Sequence, residues 1–255
     1  MEELADLKSF LDEKVEKFNQ PSFIETDPIQ VPKQFSQKEN IEIAGFLTAT
    51  ISWGNRSTII KNAMKLMSLM DFQPRDFILN SSLSEIKKLD NFVHRTFNGR
   101  DCIYFIHSLK NIYQNHGGLQ PVFEKGFQIE NTVKSALAHF FSVFFELEGE
   151  RTRKHISNVT KGASAKRLNM FLRWMVRNDK GGVDFGIWKG IPASALMLPL
   201  DVHTGNVSRK LGILNRKSND WKAVVEVTKT LRKFDPADPV KYDFALFGLG
   251  VFEKF

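Results

Sequence analysis

The stretch "LPLDVHTGNVSRKLGIL", Leu198–Leu214, places an aspartate between a proline-bounded apolar run and the start of a predicted helix. Asp201 at such a position is usually an N-cap, because its side chain accepts a hydrogen bond from a backbone N–H that the first turn leaves unpaired. A carboxylate held in this way can also act on a substrate. The stretch therefore leaves two interpretations of Asp201 open, a structural cap and a functional acid.

The positive charge of the chain is concentrated around this stretch. Residues 151–217, here called the basic segment, hold fourteen Lys and Arg against three Asp, a net charge of +11. The whole chain of 255 residues carries +7, so the remainder is at −4. Focused positive charge attracts polyanions, most often nucleic acid, although a solvated basic helix face gives the same count.

The composition favours a cytoplasmic protein. We find no run of about 18 apolar residues that would span a membrane, and the start "MEELADLKSFLDEKVEKF" lacks the features of a signal peptide. The one cysteine, Cys102, excludes an internal disulfide and a cysteine-held metal or iron–sulfur site. No pair of histidines has metal-ligand spacing, so we expect no metal and no other cofactor.

Helical periodicity dominates the sequence and predicts an all-α fold of roughly ten helices, with the 23 Phe as core residues. "ENTVKSALAHFFSVFFELEGE" reads as one long helix that ends at Gly149, and Gly117-Gly118 closes the helix before it. We find no alternating pattern long enough to build a sheet.

A glycine-containing turn precedes a basic helix in "SNVTKGASAK", Ser157–Lys166, and "KRLNMFLRWMVR". The apolar stripe of this helix leaves Lys166, Arg173 and Arg177 on the other side. Backbone amides at a helix start bind phosphate well, because they are unpaired and the helix dipole favours an anion. The pattern predicts a hairpin that grips a nucleic-acid backbone without reading its sequence.

These residues resemble the helix-hairpin-helix GPD superfamily of DNA glycosylases. "KGASAKRLNMF" resembles the family's hairpin and "LPLDVHTGNVSRKLGIL" its Pro-x-Asp-x-His segment. "IAGFLTATISWGNRSTIIKNAMKLM", "FNGRDCIYFIHSLKNIYQNHGGL" and "DFALFGLGVFEKF" resemble further helices of the family. The resemblance runs from Asn40 to the C-terminus. The chain looks most similar to a little-studied bacterial branch of the family, and the 8-oxoguanine glycosylases are the nearer characterised relatives.

The resemblance implies a two-subdomain helix-hairpin-helix fold with a cleft between the subdomains. We expect a central helical subdomain at residues 36–190 that ends in the hairpin, and a second subdomain at residues 1–35 plus 191–255 that carries Asp201. The implied function is base excision repair: a glycosylase, a hydrolase with lyase activity as an option, that removes a damaged base such as an oxidised purine from duplex DNA. The implied protein is a nucleoid-associated monomer without an iron–sulfur cluster.

Three features depart from the family pattern. The second hairpin glycine is Ser164 here, while Gly162 is present. Lys166 and Asp201 are 35 residues apart, farther than is usual, because residues 178–197 are inserted between them. No cysteine cluster follows "DFALFGLGVFEKF".

The resemblance assigns the chemistry to two residues. The Asp201 carboxylate would stabilise the positive charge that develops on C1′ of the deoxyribose when the base–sugar bond breaks. Lys166 would attack C1′ as an amine, form a Schiff base and allow β-elimination. An ordinary phosphate contact is the alternative for Lys166, with water as the nucleophile; Lys180 and Lys189 on the insertion are weaker substitutes.

The remaining candidates would contact DNA. In the hairpin and near Asp201 they are Lys161, Gly162, Ser164, Arg167, Arg173 and His203. His203 could instead be an ordinary helix residue. An enzyme that flips a base must also fill the gap, for which Asn55, Arg56 and Trp53 in the turn "SWGNRS" are candidates; core packing is the alternative for Trp53.

Two other functions fit the sequence. A non-catalytic helix-hairpin-helix protein would bind the DNA backbone through the hairpin and would lack glycosylase activity. An RNA-binding protein would share the basic segment and prefer structured RNA to damaged duplex DNA.

Overall fold

The computed structural model describes residues 2–178 and 181–255. The chain forms two compact units: a terminal unit of Met1–Glu25 with Asn158–Phe255, and a central unit of Thr26–Ser157. We placed the boundaries at residues 35 and 190, whereas the structure has them at Glu25 and Asn158. The hairpin sequence therefore lies in the same unit as Asp201.

The described part of the chain is mostly helical, in agreement with the predicted all-α class. Its helices in chain order are α1 (Glu2–Phe18), α2 (Lys38–Thr50), α3 (Arg56–Leu69), α4 (Pro74–Asn80), α5 (Leu83–Lys87), α6 (Gly99–Asn115), α7 (Leu119–Glu130), α8 (Val133–Phe144), α9 (Lys166–Val176), α10 (Val202–Lys210), α11 (Trp221–Phe234) and α12 (Tyr242–Val251). One hairpin, β1 (Val93–His94) and β2 (Phe97–Asn98), is antiparallel. Short 3-10 helices lie at Pro21–Thr26, Pro28–Gln30, Pro32–Gln34, Lys88–Asn91, Val159–Lys161, Ala193–Ala195 and Pro239–Lys241.

Local capping residues set the helix limits in the central unit. Gly117 and Gly118 have positive φ and close α6, as the sequence predicts. The segment predicted as one long helix, residues 130–150, contains a shorter one: Asn131 adopts the left-handed conformation after α7, and Thr132 caps the start of α8 through the Ser135 amide. That helix ends at Phe144 rather than at Gly149.

Phenylalanine rings form the core of the central unit. The ring of Phe46 lies 5.4 Å from Phe140 and 5.6 Å from Phe144, and Phe123 stacks on Phe140 at 4.4 Å. All four side chains are buried. These four Phe are core residues as predicted, whereas Phe72, Phe252 and Phe255 are exposed.

Apolar side chains of the insertion at residues 178–197 contribute to the core of the terminal unit, while other described residues of it are exposed. Val183, Trp188 and Ile191 are buried, and Trp188 meets Phe171 of α9 edge to face at 5.4 Å. The Arg232 guanidinium holds the end of the insertion by donating to the carbonyls of residues 194, 195 and 196. This packing is the reason why the unit boundary lies before the hairpin rather than after the insertion.

Two glycines allow α12 to lie close to its neighbours in the terminal unit. A Cβ on Gly248 would lie 2.1 Å from the Phe18 ring of α1, and one on Gly250 would lie 3.2 Å from the Cβ of His203 of α10. A side chain at Gly248 would therefore separate α1 from α12. None of the helices within the described residues is long and apolar enough to cross a lipid bilayer.

Candidate active site

Asp201 uses its two carboxylate oxygens for different purposes. It is the N-cap of α10, and Oδ1 accepts hydrogen bonds from the Thr204 amide at 3.0 Å and the Thr204 hydroxyl at 3.2 Å. The Thr204 hydroxyl in turn accepts from the Asp201 amide at 2.9 Å, which completes a capping box. The other oxygen, Oδ2, lies 3.9 Å from Nζ of Lys166. The predicted cap is confirmed, and it leaves one oxygen directed at an amine.

Lys166 is the first residue of α9 and follows a tight turn. Gly162 has a φ of +84° and Ala165, the N-cap, a φ of +52°, so the chain reverses through two left-handed residues. No side chain caps the α9 N-terminus. The element before the turn is a single 3-10 turn, Val159–Lys161, and not the helix that a hairpin of two helices requires.

One short segment ties the Gly162 turn to Asp201. The Trp221 amide donates to the Gly162 carbonyl at 2.9 Å, and Ala163 forms a β-bridge with the neighbouring Asp220. Asn219, which immediately precedes Asp220 in the chain, donates from its side chain to the Asp201 carbonyl at 2.8 Å. Lys166 and Asp201, which are 35 residues apart in sequence, therefore meet because both of their loops are bonded to residues 219–221.

Arg209 in turn orients the Asn219 amide. Its guanidinium donates to Asn219 Oδ1 at 2.6 Å and to the Arg216 carbonyl at 2.8 Å. Sequence reasoning missed the role of Asn219, since nothing in "NRKSND" distinguishes it from an ordinary loop residue. Only the run of polar residues before the α11 cap at Asp220 indicates that this segment is a structured loop.

The pair is partly open to solvent. The Lys166 and Asp201 side chains are 27% and 22% exposed. At 3.9 Å the two charges are within ion-pair range but beyond hydrogen-bond distance. Both side chains are therefore partly accessible to solvent, unlike those of a fully buried ion pair.

Behind this pair lies a buried network of charges. Arg173 of α9 donates from Nε to Asp184 at 3.2 Å and from Nη1 to Asp243 of α12. Arg177 donates to Asp184 at 3.0 Å and to Asp238 at 2.8 Å. Arg173 and Arg177 are therefore buried structural residues. The prediction that Arg173 contacts DNA is wrong, because its guanidinium is buried and bonded to two carboxylates. The two arginines are buried because Asp184, in the insertion, packs against the polar side of α9.

Asp243 is a further residue that sequence reasoning missed. It is buried, and its burial raises its pKa to about 6, against the opposing effect of Arg173. Asp201 raises that pKa further and Lys166 lowers it, which places Asp243 within electrostatic reach of both. The available signal was a lone carboxyl group in the otherwise apolar helix "YDFALFGLGV".

The other hairpin candidates differ in exposure. Lys161 is exposed, whereas Ser164 and Arg167 are half-buried, and burial lowers the pKa of Arg167 to about 10. The Ser164 carbonyl accepts from the Asn169 side chain at 3.1 Å. Lys161 and the Gly162 turn are the parts of the hairpin most available to a ligand.

Other predicted site residues lie near Asp201 and on the insertion. His203 is exposed on α10, next to Gly250 of α12. Lys189 donates to the Gly186 carbonyl at 2.6 Å, which makes it a poor substitute for Lys166. Lys180 lies outside the described residues.

The "SWGNRS" turn lies in the central unit, between α2 and α3. Asn55 is the α3 N-cap and accepts from the Thr58 amide at 3.2 Å. Trp53 meets His94 edge to face at 4.9 Å and stacks on His155 at 5.9 Å, while remaining half-buried. Asn55 is thus an exposed cap, and Trp53 is packed on two histidines rather than projecting freely.

Arg56, the last candidate, is partly exposed. Its guanidinium lies 3.4 Å from the Thr26 hydroxyl and 4.0 Å from the Asp27 carboxylate. Both partners precede α2 in the same unit. These contacts hold Arg56 over the start of the central unit.

Much of the charge in the basic segment is compensated internally. Besides Arg173 and Arg177, Arg151 pairs with Asp101 at 2.5 Å and Arg216 with Asp220 at 2.5 Å. The segment also crosses the unit boundary, since residues 151–157 belong to the central unit. Part of its net charge of +11 is therefore neutralised by these ion pairs, and the segment is divided between the two units. Within the part of the chain that the structure covers, no group of three or more His, Cys, Asp and Glu could hold a metal ion.

The chain belongs to a family described as "Protein of unknown function (DUF2400)", which matches residues 27–252. That span includes Lys166, Asp201, Asp243 and the Trp53 turn. No curated protein and no solved structure matches the chain.

Proposed function

We propose that this protein is a DNA glycosylase that excises a damaged base from duplex DNA, and that its likeness to the helix-hairpin-helix GPD superfamily lies in the Gly162 turn and Asp201 rather than in a complete hairpin of two helices. The observation that carries the proposal is the approach of Lys166 Nζ to Asp201 Oδ2, at 3.9 Å, across 35 residues of sequence. An amine and a carboxylate that are both partly exposed and lie at the starts of two helices provide a nucleophile and a charge-stabilising group on one surface.

Asp201 would act on the sugar. When the bond between C1′ and the base nitrogen breaks, its electron pair leaves with the base and positive charge develops on C1′. A carboxylate oxygen next to C1′ stabilises that charge, and Oδ2 is the oxygen that the cap leaves available. Because Oδ1 is fixed by Thr204, the carboxylate would be held in position before substrate binds.

Lys166 would be the nucleophile. Its neutral amine would form a bond to C1′ as the base departs, and loss of the amine proton with opening of the sugar ring would give a Schiff base. Removal of a C2′ proton would then break the C3′–O bond and nick the strand. If Lys166 only binds phosphate, a water molecule would attack C1′ and the enzyme would release the base without nicking.

The Gly162 turn would hold the DNA backbone. It presents the uncapped N-terminus of α9 together with the exposed Lys161. Backbone amides and a lysine bind phosphate irrespective of base sequence.

Base release by Asp201→Asn tests the proposal, with Asp220→Asn as a matched control. Both aspartates are helix N-caps in the terminal unit, and Asn caps a helix about as well as Asp. In Asp220 the neighbouring Arg216 guanidinium holds the carboxyl pKa well below its usual range, so this carboxylate is engaged in a structural pair. We expect Asp220→Asn to retain excision and Asp201→Asn to lose it about 100-fold or more.

The substrates are duplexes that carry 8-oxoguanine, uracil or an abasic site, with release followed in single turnover. DNA affinity is measured beside activity. If the unmodified protein binds these duplexes but releases no base from any of them, the proposal is contradicted and the non-catalytic DNA-binding function is indicated. Tighter binding of structured RNA than of these duplexes at fixed salt would indicate the RNA-binding function.

A further inference from the structure

The central unit carries a surface groove of about 760 Å³ between α6 and the segment that follows α8. One wall of this groove, here called the α6 groove, is a face of α6 whose lining residues recur at the three- and four-residue spacing of a helix from Arg100 to Asn115. The other wall is residues 147–149. Clefts that hold small ligands have volumes of about 300–1,000 Å³, so the groove is large enough for one.

Hydrogen bonds fix the second wall on α6. The Tyr104 hydroxyl donates to the Leu147 carbonyl at 2.8 Å. Asn111 donates from its side chain to the Glu146 carboxylate at 3.0 Å, and Nε2 of His116 lies 2.8 Å from the same carboxylate. The shape of the groove is therefore set by contacts within the protein, and a ligand enters a site that is already formed.

The basic side chains of the α6 groove have no protein partner. Arg100, His107 and Lys110 line it, and none of the three makes a hydrogen bond, an ion pair or a ring contact within residues 2–178 and 181–255. The arginines at positions 151 and 153 of the same unit, by contrast, are paired with carboxylates. Arginine binds a phosphate group through two parallel hydrogen bonds and lysine binds it as a point charge, so the unpaired donors suit a phosphate-bearing ligand.

These basic residues are spread along α6. His107 and Lys110 are about one helical turn apart. Arg100 lies seven residues before His107, which is about 10 Å along the helix axis. Donors distributed over this length match an anion that carries more than one phosphate group.

The α6 groove also offers groups that a simple anion does not use. Ile103 and Leu147 line it with half-buried apolar side chains. Glu148 is the one carboxylate among its described lining residues, and neither Glu148 nor Gln114 has a partner in the described chain. A carboxylate accepts hydrogen bonds from the N–H groups of a nucleobase, and a glutamine amide both donates and accepts. Apolar contacts together with these groups suit a base.

We propose that the α6 groove binds a nucleotide with more than one phosphate group, whose phosphates contact Arg100, His107 and Lys110 and whose base contacts the apolar and acceptor groups. The nucleotide is either free or part of a DNA strand, since both present phosphates and bases. This site goes beyond the proposed function, because it lies wholly in the central unit and contains neither Lys166 nor Asp201.

Calorimetric titration with dATP tests the inference, with Arg100→Ala and Lys110→Ala as the groove variants. Lys134→Ala is the matched control: Lys134 is an exposed lysine of α8 in the same unit, it does not line the groove, and its loss removes the same charge. The titrations are made at an ionic strength of about 0.15 M, which screens charges farther away than about 8 Å. Alanine is the strongest helix former, so the variants keep their helices, and circular dichroism checks this.

We expect dATP to bind the unmodified protein with a Kd below about 1 mM, and each groove variant to bind it about 10-fold more weakly, as the loss of one charge-assisted hydrogen bond predicts. Lys134→Ala should change the Kd less than about two-fold. Deoxyadenosine, which has no phosphate, and tripolyphosphate, which has no base, should each bind at least about 10-fold more weakly than dATP.

Equal Kd values for dATP in the unmodified protein and both groove variants, or an equal loss in Lys134→Ala, would overturn the inference. Tripolyphosphate that binds as tightly as dATP would also overturn it, because the groove would then recognise only charge.

A short single-stranded oligonucleotide of deoxyadenylate identifies the source of the nucleotide. If it binds more tightly than dATP and both groove variants weaken it, the groove holds a DNA strand; if dATP binds more tightly, the groove holds a free nucleotide. Absence of dATP binding beside oligonucleotide binding that neither variant weakens would overturn the inference. No damaged base is present in these titrations, so absent base release would remove the proposed function and leave this site in place.

Discussion

Replacement of Asp184 by Asn tests whether the insertion is an integral part of the terminal unit. The Asp184 side chain is 0% exposed and accepts from Arg173 at 3.2 Å and from Arg177 at 3.0 Å. Asn keeps the shape and one acceptor but removes the negative charge. Two buried guanidinium groups would then share the remaining carboxyl groups of Asp238 and Asp243.

The magnitude follows from the burial of these groups. Removal of one partner from a buried ion pair costs about 3–5 kcal/mol, because the other charge stays buried without compensation. Since Asn still accepts one hydrogen bond and both arginines keep a second carboxylate, we expect the lower end, about 3 kcal/mol in the free energy of unfolding. For a chain of this size that corresponds to a fall in Tm of about 6–12 °C.

Urea unfolding followed by tryptophan fluorescence measures the effect. Three of the four tryptophans, Trp174, Trp188 and Trp221, lie in the terminal unit, so the signal reports mainly on that unit. Glu253→Gln is the control: it removes a surface pair with Lys17 in the same unit and should cost less than about 1 kcal/mol. A loss in Asp184→Asn no larger than in this control would show that the Asp184 charge does not stabilise the terminal unit.

Three further predictions concern the turn, the cap and the buried carboxyl group. Gly162→Ala places a Cβ in open space but at a φ of +84°, so chemical denaturation should show a loss of about 1 kcal/mol, and no loss would mean that the turn relaxes. Asp201→Ala should lose about 1 kcal/mol of unfolding free energy through the Thr204 cap, which Asp201→Asn should retain; equal losses would refute a capping role. The raised pKa of Asp243 means that its contribution to stability is fully present below about pH 4 and is lost as pH rises through about 6. The stability of the unmodified protein relative to Asp243→Asn should therefore fall between pH 4 and 6, and a difference independent of pH would contradict the raised pKa.

Local features of the fold could be predicted from the sequence. The Asp201 cap and the glycine closure of α6 depend on a few adjacent residues, and both are present. The limits of α8 were set too wide, because the apolar pattern does not mark where the helix starts and ends, whereas the left-handed Asn131 and the Thr132 cap fix its start at the junction with α7. Periodicity is a weaker signal than a cap at such a junction.

The site could be predicted only in part. Lys166 and Asp201 were identified by their motifs, and the structure brings them within 3.9 Å. The sequence pattern of α9 places Arg173 on the polar side and so indicates exposure. Its burial depends on Asp184, which lies in a segment without helical periodicity. Asn219 and Asp243 act through contacts over long sequence distances, which no local pattern encodes.

Borohydride trapping on an abasic duplex is the sharpest test of Lys166 as the nucleophile, because reduction of a Schiff base makes the complex between enzyme and DNA permanent. Lys166→Ala is compared with Lys161→Ala, which removes an exposed lysine five residues away in the same turn. We expect a covalent complex with the unmodified protein, a complex with Lys161→Ala whose yield recovers at higher protein concentration because only DNA binding is weakened, and none with Lys166→Ala. A complex of undiminished yield in Lys166→Ala would contradict the assignment of Lys166 as the nucleophile.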